Sequence, residues 1–393
     1  MTASPHSPVP DLRARAASYE ARLRDAAPAI EAERRVPRAL ADALAADGYY
    51  RMLTPRSLGG LEVHPRVFVE SLIALGRGDG ATAWTVMTGS TTGLLAAYLP
   101  RAGARALFAD DASIPAGVFA PLGRATPVPG GYRLSGRWPF TSGVENADVR
   151  LGGGLVFEEG GEGPRLLPGG QPELRSFFMR AGDTRVEDTW KTSGLRGTGS
   201  HDMVAEDVFV PAEHTACVFA DAPVEGGVLY RFPLFGLLSL GVAAVGLGIA
   251  RAALDALGEL ARTKKRGRKS LAETELAQVR MADAEGELRA AEALVLTTLE
   301  DAYAVARDGV GEGLGAPTRA SLRLAATHAA RAAARVTDAA YHLGGGASIY
   351  EHNPLQRHFR DVHTMTQHVM VNEATLKPIG RILFGLPTDL RQL

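Results

Sequence analysis

Cysteine is almost absent from this sequence, and neither sign of charge predominates. The single cysteine, Cys217, excludes an internal disulfide and favours a reducing compartment, so we expect a cytoplasmic protein. The 43 Lys and Arg residues balance 44 Asp and Glu residues, which argues against a general nucleic-acid surface. The N-terminus lacks the apolar stretch of a secretory signal, so we predict none.

Long uninterrupted apolar runs are also missing. The longest, residues 234–250, contains four glycines and one serine and ends before Arg251. We therefore predict a buried helix and no membrane span. Its small residues would allow neighbouring helices or subunits to approach closely.

Motifs for several common reaction types are absent. No GxGxxG lies at a predicted strand-to-helix turn and no GxxxxGK[ST] occurs, which argues against a Rossmann or P-loop nucleotide site. No GxSxG occurs, and no motif marks Cys217 as a nucleophile. Four histidines near the C-terminus are spaced by six, five and five residues and do not share a helical face, so no metal site is predicted from His352, His358, His363 and His368.

Hydrophobic patterning divides the chain into three parts. Apolar residues at i+3/i+4 spacing predict helices first, short β-leaning runs between Gly, Pro and Asp clusters follow, and helical patterns then return. The prediction is an α+β protein. It has an N-terminal α-helical domain (1–112), a central antiparallel β-barrel or sheet domain (113–222) and a C-terminal four-helix bundle domain (223–393).

Two segments of the β region combine aromatic residues, hydroxyl residues and glycine: GRWPFTSG (136–143) and WKTSGLRGTGSHD (190–202). Aromatic faces beside hydroxyls and backbone N–H groups suit a flat heteroaromatic ring. Composition by itself favours the alternative, turns of a sheet with a packed tryptophan.

These two segments, followed by HLGGGASIYEHNPLQRHFRD (342–361), resemble the acyl-CoA dehydrogenase family over about residues 15–385. The resemblance implies that family's fold, with a flavin held by the first two segments. It also implies that the third segment reaches the cofactor of a neighbouring subunit in a homotetramer.

A dehydrogenase of this fold needs a carboxylate base that removes a proton next to a thioester carbonyl. Alignment on Arg360 and Asp361 places the family's usual glutamate position at Val369. The family's alternative position falls near Phe235 and Gly236, where no carboxylate is present. An ordinary acyl-CoA dehydrogenase mechanism therefore lacks its base.

His368, Ser142 and the RDVHTMTQH arrangement are instead similar to the flavin-dependent monooxygenases built on this fold. That resemblance implies a two-component enzyme, in which a separate reductase supplies reduced FMN or FAD and O2 forms a flavin C4a-hydroperoxide. The substrate would be an aromatic or electron-rich small molecule. Residues 85–98 lack the further histidine that some aromatic hydroxylases of this group carry, so we expect a less polar or larger substrate, such as a polycyclic aromatic or an intermediate of secondary metabolism. Ser142 would bond near flavin N5, and His368 would deprotonate a phenol or hold the peroxide.

The same resemblance predicts further cofactor-binding residues. The alternatives are sheet packing for Trp190, a solvated loop for RTKKRGRK (262–269), which contains Arg262, and a simple helix end for Gly344 and Gly345. Asp361 is predicted to be a structural ion-pair partner. The predicted cofactor-binding set is Phe140, Thr141, Ser142, Trp190, Thr192, Arg262, Gly344 and Gly345.

Two other hypotheses remain open at this point. The chain could be an FAD-dependent desaturase or oxidase of the same fold with an unusual base such as Glu373. It could also be a non-catalytic protein that keeps the scaffold, although the retained aromatic and hydroxyl segments argue against that.

Overall fold

Helices occupy both ends of the chain, and strands occupy its middle. The structure, a computed structural model, describes residues 11–110, 112–309, 314–390 and 393. The helices are α1 (Leu12–Glu33), α2 (Arg38–Ala46), α3 (Pro65–Gly78), α4 (Gly80–Leu94), α5 (Arg101–Leu107), α6 (Leu234–Thr263), α7 (Glu275–Asp308), α8 (Ala316–Gly344), α9 (Pro354–Thr366) and α10 (Leu376–Leu383).

The strands lie between α5 and α6, with one further short hairpin after α6. They are β1 (Pro115–Val128), β2 (Gly131–Thr141), β3 (Val149–Val156), β4 (Leu174–Arg180), β5 (Arg185–Glu187), β6 (His201–Pro211), β7 (Thr215–Ala216), β8 (Lys265–Arg266) and β9 (Lys269–Ser270).

The first seven strands form one sheet in the order β5-β6-β2-β1-β3-β4-β7. The prediction of an all-antiparallel sheet is wrong at one position, because β1 pairs with β3 in parallel. The sheet is open, with β5 and β7 at its two edges, and it is not closed into a barrel. The α+β class and the order of helical, β and helical parts are as predicted.

Strand β1 is the longest strand, and no β-leaning run in the sequence predicted it. Its sequence, PAGVFAPLGRATPV, is rich in proline, glycine and alanine, which are poor strand formers. The pairing of β1 with β3 shifts register near Val118, Pro121 and Gly123. Such irregularities let a central strand accommodate proline and turn its side chains toward new neighbours.

Trp138 of GRWPFTSG is the centre of a separate core within the sheet. Its side chain is fully buried, and its indole N–H donates to the carbonyl of Gly153 at 2.7 Å. A Cβ on Gly123, Gly136 or Gly152 would lie within 2.7 Å of the indole ring. Three glycines therefore make room for this ring, and Trp138 is the packed tryptophan of the composition-based alternative.

The N-terminal and C-terminal helices share one hydrophobic core, and α6 crosses it. Of the described helices, α6 is the one long and apolar enough by composition to cross a membrane, and 89% of its most apolar window is buried inside the protein. Its glycines let α3 and α4 approach, with Gly248 against Gly76 and Gly241 against Met87.

Candidate functional site

Helix α4 positions one wall of the candidate site. Asp79 begins the helix, and its carboxylate accepts hydrogen bonds from the Thr82 N–H at 2.7 Å and the Thr82 hydroxyl at 2.8 Å. Helices α4 and α6 run antiparallel, because Gly80 faces Ile249 whereas Met87 faces Gly241. No charged residue occurs between Gly80 and Leu94, so this wall is apolar apart from hydroxyls.

Trp84 on α4 brings together the two residues that the sequence marked as catalytic. Its indole N–H donates to Ser142 Oγ at 3.1 Å. Its ring meets the His368 imidazole edge to face, with ring centroids 5.4 Å apart. Trp84, Ser142 and His368 therefore form one cluster, which we call the reaction site.

A chain of hydroxyl groups continues inward from Ser142. Ser142 Oγ lies 2.7 Å from Ser200 Oγ, and Ser200 Oγ lies 2.6 Å from Thr198 Oγ1. The Thr198 hydroxyl donates to the Leu195 carbonyl at 2.8 Å. All three hydroxyl residues are buried. We call Ser142, Ser200 and Thr198 the hydroxyl chain. It connects the end of β2 to the loop before β6.

His368 lies in the turn that follows α9. The Met370 N–H donates to His368 Nδ1 at 3.3 Å, so Nδ1 carries no hydrogen and Nε2 bears the hydrogen of the neutral ring. Burial, reinforced by the charge of Arg323, lowers the pKa of His368 to about 4. The same arginine donates to the Met370 carbonyl at 3.0 Å and thus holds the turn. His368 is therefore a neutral hydrogen-bond donor at neutral pH.

Phe140 and Trp190 form an open aromatic surface next to Ser142. Phe140 is 68% exposed and has a φ of 64°, a left-handed conformation that a phenylalanine rarely adopts. Its ring meets the Trp190 ring edge to face at 6.0 Å. The Trp190 N–H donates to the Leu195 carbonyl at 3.0 Å, which fixes the indole on the same residue that ends the hydroxyl chain.

Two predicted hydroxyl residues of these segments turn their side chains to the backbone. The Thr141 hydroxyl is fully buried and donates to the Trp138 carbonyl at 2.9 Å. The Thr192 hydroxyl donates to the Gly194 carbonyl at 3.0 Å. Their hydroxyl protons are thus committed to the protein, and only their oxygen lone pairs remain for a ligand.

Arg262, Gly344 and Gly345 belong to a second group at the ends of α6 and α8. The Lys264 ammonium donates to the Gly344 carbonyl, which ties the exposed basic hairpin, residues 262–270, to these glycines. A Cβ on Gly344 would lie 2.2 Å from Ser348 Oγ, so packing already requires glycine there. Gly345 has a φ of 57° and ends the helix, as the alternative for these glycines predicted.

The prediction that Asp361 is an ion-pair partner is wrong within the described chain. Its carboxylate is buried and accepts the Leu195 N–H at 2.6 Å. Burial raises the pKa of Asp361 to about 7; the neighbouring Asp79 raises it further, while the Leu195 N–H and Arg357 oppose the rise. Asp361 therefore links α9 to the loop between β5 and β6. That loop carries Trp190 and also Leu195, whose carbonyl is the last acceptor of the hydroxyl chain.

Three phenylalanines form an aromatic cluster where β1, the loop after β7 and the start of α6 meet. Phe235 contacts Phe119 at a centroid distance of 6.1 Å and Phe219 at 6.0 Å. Because α4 and α6 are antiparallel, Phe235 near the start of α6 lies toward the C-terminal half of α4. Thr88 follows Trp84 by one helical turn and faces the same side of α4.

Sequence reasoning missed Trp84, Thr198 and Ser200. The segment containing Trp84 read as buried core because it is uncharged, and a tryptophan there carries no motif. The hydroxyls at 198 and 200 were part of a quoted segment, but only the fold brings them to Ser142. The unusual base of the alternative hypothesis, Glu373, is exposed on the turn before α10. Among the described residues, no three His, Cys, Asp or Glu side chains converge as metal ligands.

Comparisons with known proteins show which family the chain is similar to. A family profile described as acyl-CoA dehydrogenase, C-terminal domain, matches residues 240–373. The chain is 36% identical over 362 residues to an indole-3-acetate monooxygenase of Pseudomonas putida, covering 91% of this chain and 89% of that protein. It is 30% identical over 384 residues to the oxygenase component of an FADH2-dependent resorcinol hydroxylase of Rhizobium, covering 93% and 91%.

Solved structures resemble the whole chain as well. The crystal structure of a 3-HSA hydroxylase from Rhodococcus sp. RHA1 superimposes with a TM-score of 0.88 at 27% sequence identity. That match covers 97% of this chain and 98% of the hydroxylase. The likeness therefore extends over all three parts of the chain and not only over the C-terminal helices.

Proposed function

The chain belongs to the flavin-dependent monooxygenases with the acyl-CoA dehydrogenase fold, and on that premise we propose how its own residues serve the reaction. It is an oxidoreductase that uses reduced flavin and O2 to hydroxylate an aromatic small molecule. Bound reduced flavin supplies two electrons, so that one oxygen atom enters the substrate and the other leaves as water. A separate reductase supplies the reduced FMN or FAD, in keeping with the name oxygenase component of the resorcinol hydroxylase.

The residues present fit a flavin ring. The exposed Phe140 and half-buried Trp190 offer an open aromatic surface. Phe140 has a strained, left-handed backbone conformation at this surface. The Ser142 oxygen borders it and Thr192 follows Trp190. We assign Phe140, Ser142, Trp190 and Thr192 to the ring, with Thr141 in a supporting role through its backbone. Arg262 and the basic hairpin would hold the flavin phosphate, beside Gly344 and Gly345.

We assign His368 to the oxygen that is transferred or released. Its Nε2 hydrogen is directed by the Nδ1 contact with Met370, and its low pKa keeps the ring neutral. A neutral N–H donor stabilises developing negative charge on an oxygen but cannot remove a phenol proton through the same nitrogen. Of the two sequence-based roles for His368, the structure thus favours hydrogen bonding to oxygen over general base catalysis.

The aromatic cluster fits the far end of an aromatic substrate. Phe119, Phe219 and Phe235 offer ring faces and edges, and Thr88 and Thr91 follow Trp84 along α4, whose C-terminal half lies toward Phe235. Both threonine hydroxyls donate to carbonyls of their own helix, so they present only acceptor lone pairs. We propose a flat, apolar aromatic substrate with an N–H or O–H donor.

The assembly and boundaries complete the proposal. We propose the three domains 1–112, 113–222 and 223–393, a homotetramer, and a cytoplasmic location. Large apolar side chains exposed in the C-terminal part of the chain support association of the bundles: Leu276, Val279, Ile349, Tyr350, Leu383 and Phe384.

One observation carries the functional proposal: Trp84 links Ser142 to His368 beside an exposed aromatic surface. The test is to incubate the protein with an NADH-dependent flavin reductase, FMN or FAD, ¹⁸O2 and a panel of phenols, indoles and naphthols. We expect a product 18 mass units heavier than its substrate, because one ¹⁸O atom is inserted into a C–H bond. Flavin oxidation that yields only hydrogen peroxide with every substrate would contradict the proposal, as would bleaching of bound FAD by an acyl-CoA in the absence of oxygen.

A further inference from the structure

The direction of every hydrogen bond in the hydroxyl chain is determined by its two ends. The Trp84 indole N–H can only donate, and the Leu195 carbonyl can only accept. Four contacts join these ends through Ser142, Ser200 and Thr198, and the four hydrogens available are one N–H and three O–H. Each contact receives one hydrogen only if all of them point from Trp84 toward Leu195.

This direction leaves Ser142 without a hydrogen for a ligand. Its O–H points to Ser200 Oγ at 2.7 Å, and one of its two lone pairs accepts from Trp84 at 3.1 Å. The second lone pair remains. Ser142 follows Phe140 by two residues, and its backbone N–H donates to the Phe140 carbonyl at 2.9 Å, so Ser142 is the member of the chain next to the open aromatic surface. Toward a ring placed there, Ser142 Oγ can accept but cannot donate.

Reduction of a flavin changes the hydrogen-bonding character of its ring atom N5. N5 of the oxidised ring carries a lone pair, whereas N5 of the reduced ring carries a hydrogen. An acceptor facing a lone pair is unfavourable, and the same acceptor facing an N–H gains a hydrogen bond. We propose that Ser200 and Thr198 are positioning residues that keep Ser142 an acceptor and thereby make the site select reduced over oxidised flavin. The proposal rests on the flavin site assigned above.

Removing either inner hydroxyl would reverse the orientation of Ser142. Without the Ser200 oxygen, the Ser142 O–H has no acceptor in the chain and can turn to the ring. Without the Thr198 oxygen, the Ser200 O–H turns to Ser142 Oγ, which again releases the hydrogen of Ser142. In both cases Ser142 becomes able to donate to the lone pair of oxidised flavin, and the preference for the reduced form declines.

The test is to measure the dissociation constants of dithionite-reduced and oxidised FMN and FAD by anaerobic ultrafiltration. We expect the wild type to favour the reduced form, and we expect Ser200→Ala and Thr198→Val each to lower the ratio of the two constants by about 3- to 10-fold. Adding Ser200→Ala to Ser142→Ala should change the ratio no further, because the acceptor is already gone. Ser239→Ala is the control, since that buried hydroxyl bonds within α6 to the Gly236 carbonyl.

The two proposals fail in different ways. If neither FMN nor FAD binds the wild type in either form, the flavin site itself is wrong. If flavin binds but Ser200→Ala and Thr198→Val keep the wild-type ratio while folding normally by circular dichroism, the flavin site stands and the positioning role is wrong. A Ser239→Ala ratio that falls as far as that of Ser200→Ala would also overturn the positioning role.

Discussion

The reaction site and the basic hairpin differ in burial and in how their polar hydrogens are held. At the reaction site, side chains are largely buried and the hydrogens of Trp84, Ser142 and His368 have assigned directions. In the hairpin, Arg262 and Lys265 are exposed, and the strands β8 and β9 pair over only two residues each. The difference shows that atom-specific chemistry needs burial and fixed hydrogens, whereas attraction of a phosphate needs only charge near the surface.

The largest effect should come from breaking the reaction site at its donor. We expect His368→Ala to lower product formed per reduced flavin about 100-fold while changing the dissociation constant of reduced flavin by less than about threefold. His368→Gln, which keeps an N–H donor, should recover part of the loss, whereas a general base would not be replaced by an amide. Product and peroxide yields measure the effect.

The pH dependence of wild-type turnover sharpens the same point. Because burial lowers the pKa of His368 to about 4, the ring stays neutral through the working range and gains a proton only in acid. Product yield per reduced flavin should therefore show no acid limb from His368 between about pH 5.5 and 7.5. An acid limb near pH 6.5 that disappears in His368→Gln would show instead that the ring titrates during turnover.

A smaller effect, on stability, should appear where Asp361 holds the loop of the reaction site. The folded-state pKa of this carboxyl is raised to about 7, so its stabilising contribution is complete below its unfolded pKa and is lost as the pH rises through 7. Asp361→Asn keeps an acceptor for the Leu195 N–H and removes the titration. Urea unfolding should show the stability of the Asn variant rising relative to the wild type between pH 5 and pH 8, by about 2–3 kcal/mol.

Asp361→Leu provides the comparison for that prediction. It removes the acceptor as well as the titration, so the buried Leu195 N–H is left without this partner, and the free energy of unfolding should lie about 1–3 kcal/mol below that of Asp361→Asn at both pH values. Equal differences between wild type and Asp361→Asn at pH 5 and pH 8 would be incompatible with a raised folded-state pKa.

The smallest effect should come from the basic hairpin. We expect Arg262→Ala to weaken binding of reduced FMN by only about 2- to 5-fold, and added salt to reduce the difference, because a single exposed charge contact is screened. The control is Arg280→Ala. Arg280 is an exposed arginine on α7, and its substitution changes the net charge by the same amount. Identical FMN affinities for the two variants would exclude a phosphate contact by Arg262.

Much of the fold could be predicted from local pattern. The stripe of apolar residues in α1 is the buried face of that helix, and the β-leaning runs became β2, β3, β4 and β6. The strand β1 could not be predicted, because its proline and glycine residues are poor strand formers and its stability comes from pairing with β2 on one side and β3 on the other. The parallel pairing of β1 with β3 is likewise a long-range choice that no local pattern encodes.

The candidate site divides in the same manner. Resemblance and the absence of a carboxylate at 369 predicted Ser142 and His368 as site residues, and that assignment stays a prediction. Trp84 could not be predicted, because it looks like any core tryptophan until its N–H is seen to meet Ser142. The role of Asp361 was wrong because charge in the sequence does not reveal which backbone N–H a folded carboxylate will face.

The amino-acid order by itself determined the helix, strand and helix sequence, the lack of a catalytic carboxylate at the expected positions, and the presence of an imidazole at 368 and a serine at 142. Only the tertiary structure decided which atoms carry hydrogen toward a ligand. That information arises where residues 84, 142, 198, 200 and 368 meet, because the direction of a hydroxyl or the tautomer of a histidine depends on partners distant along the chain.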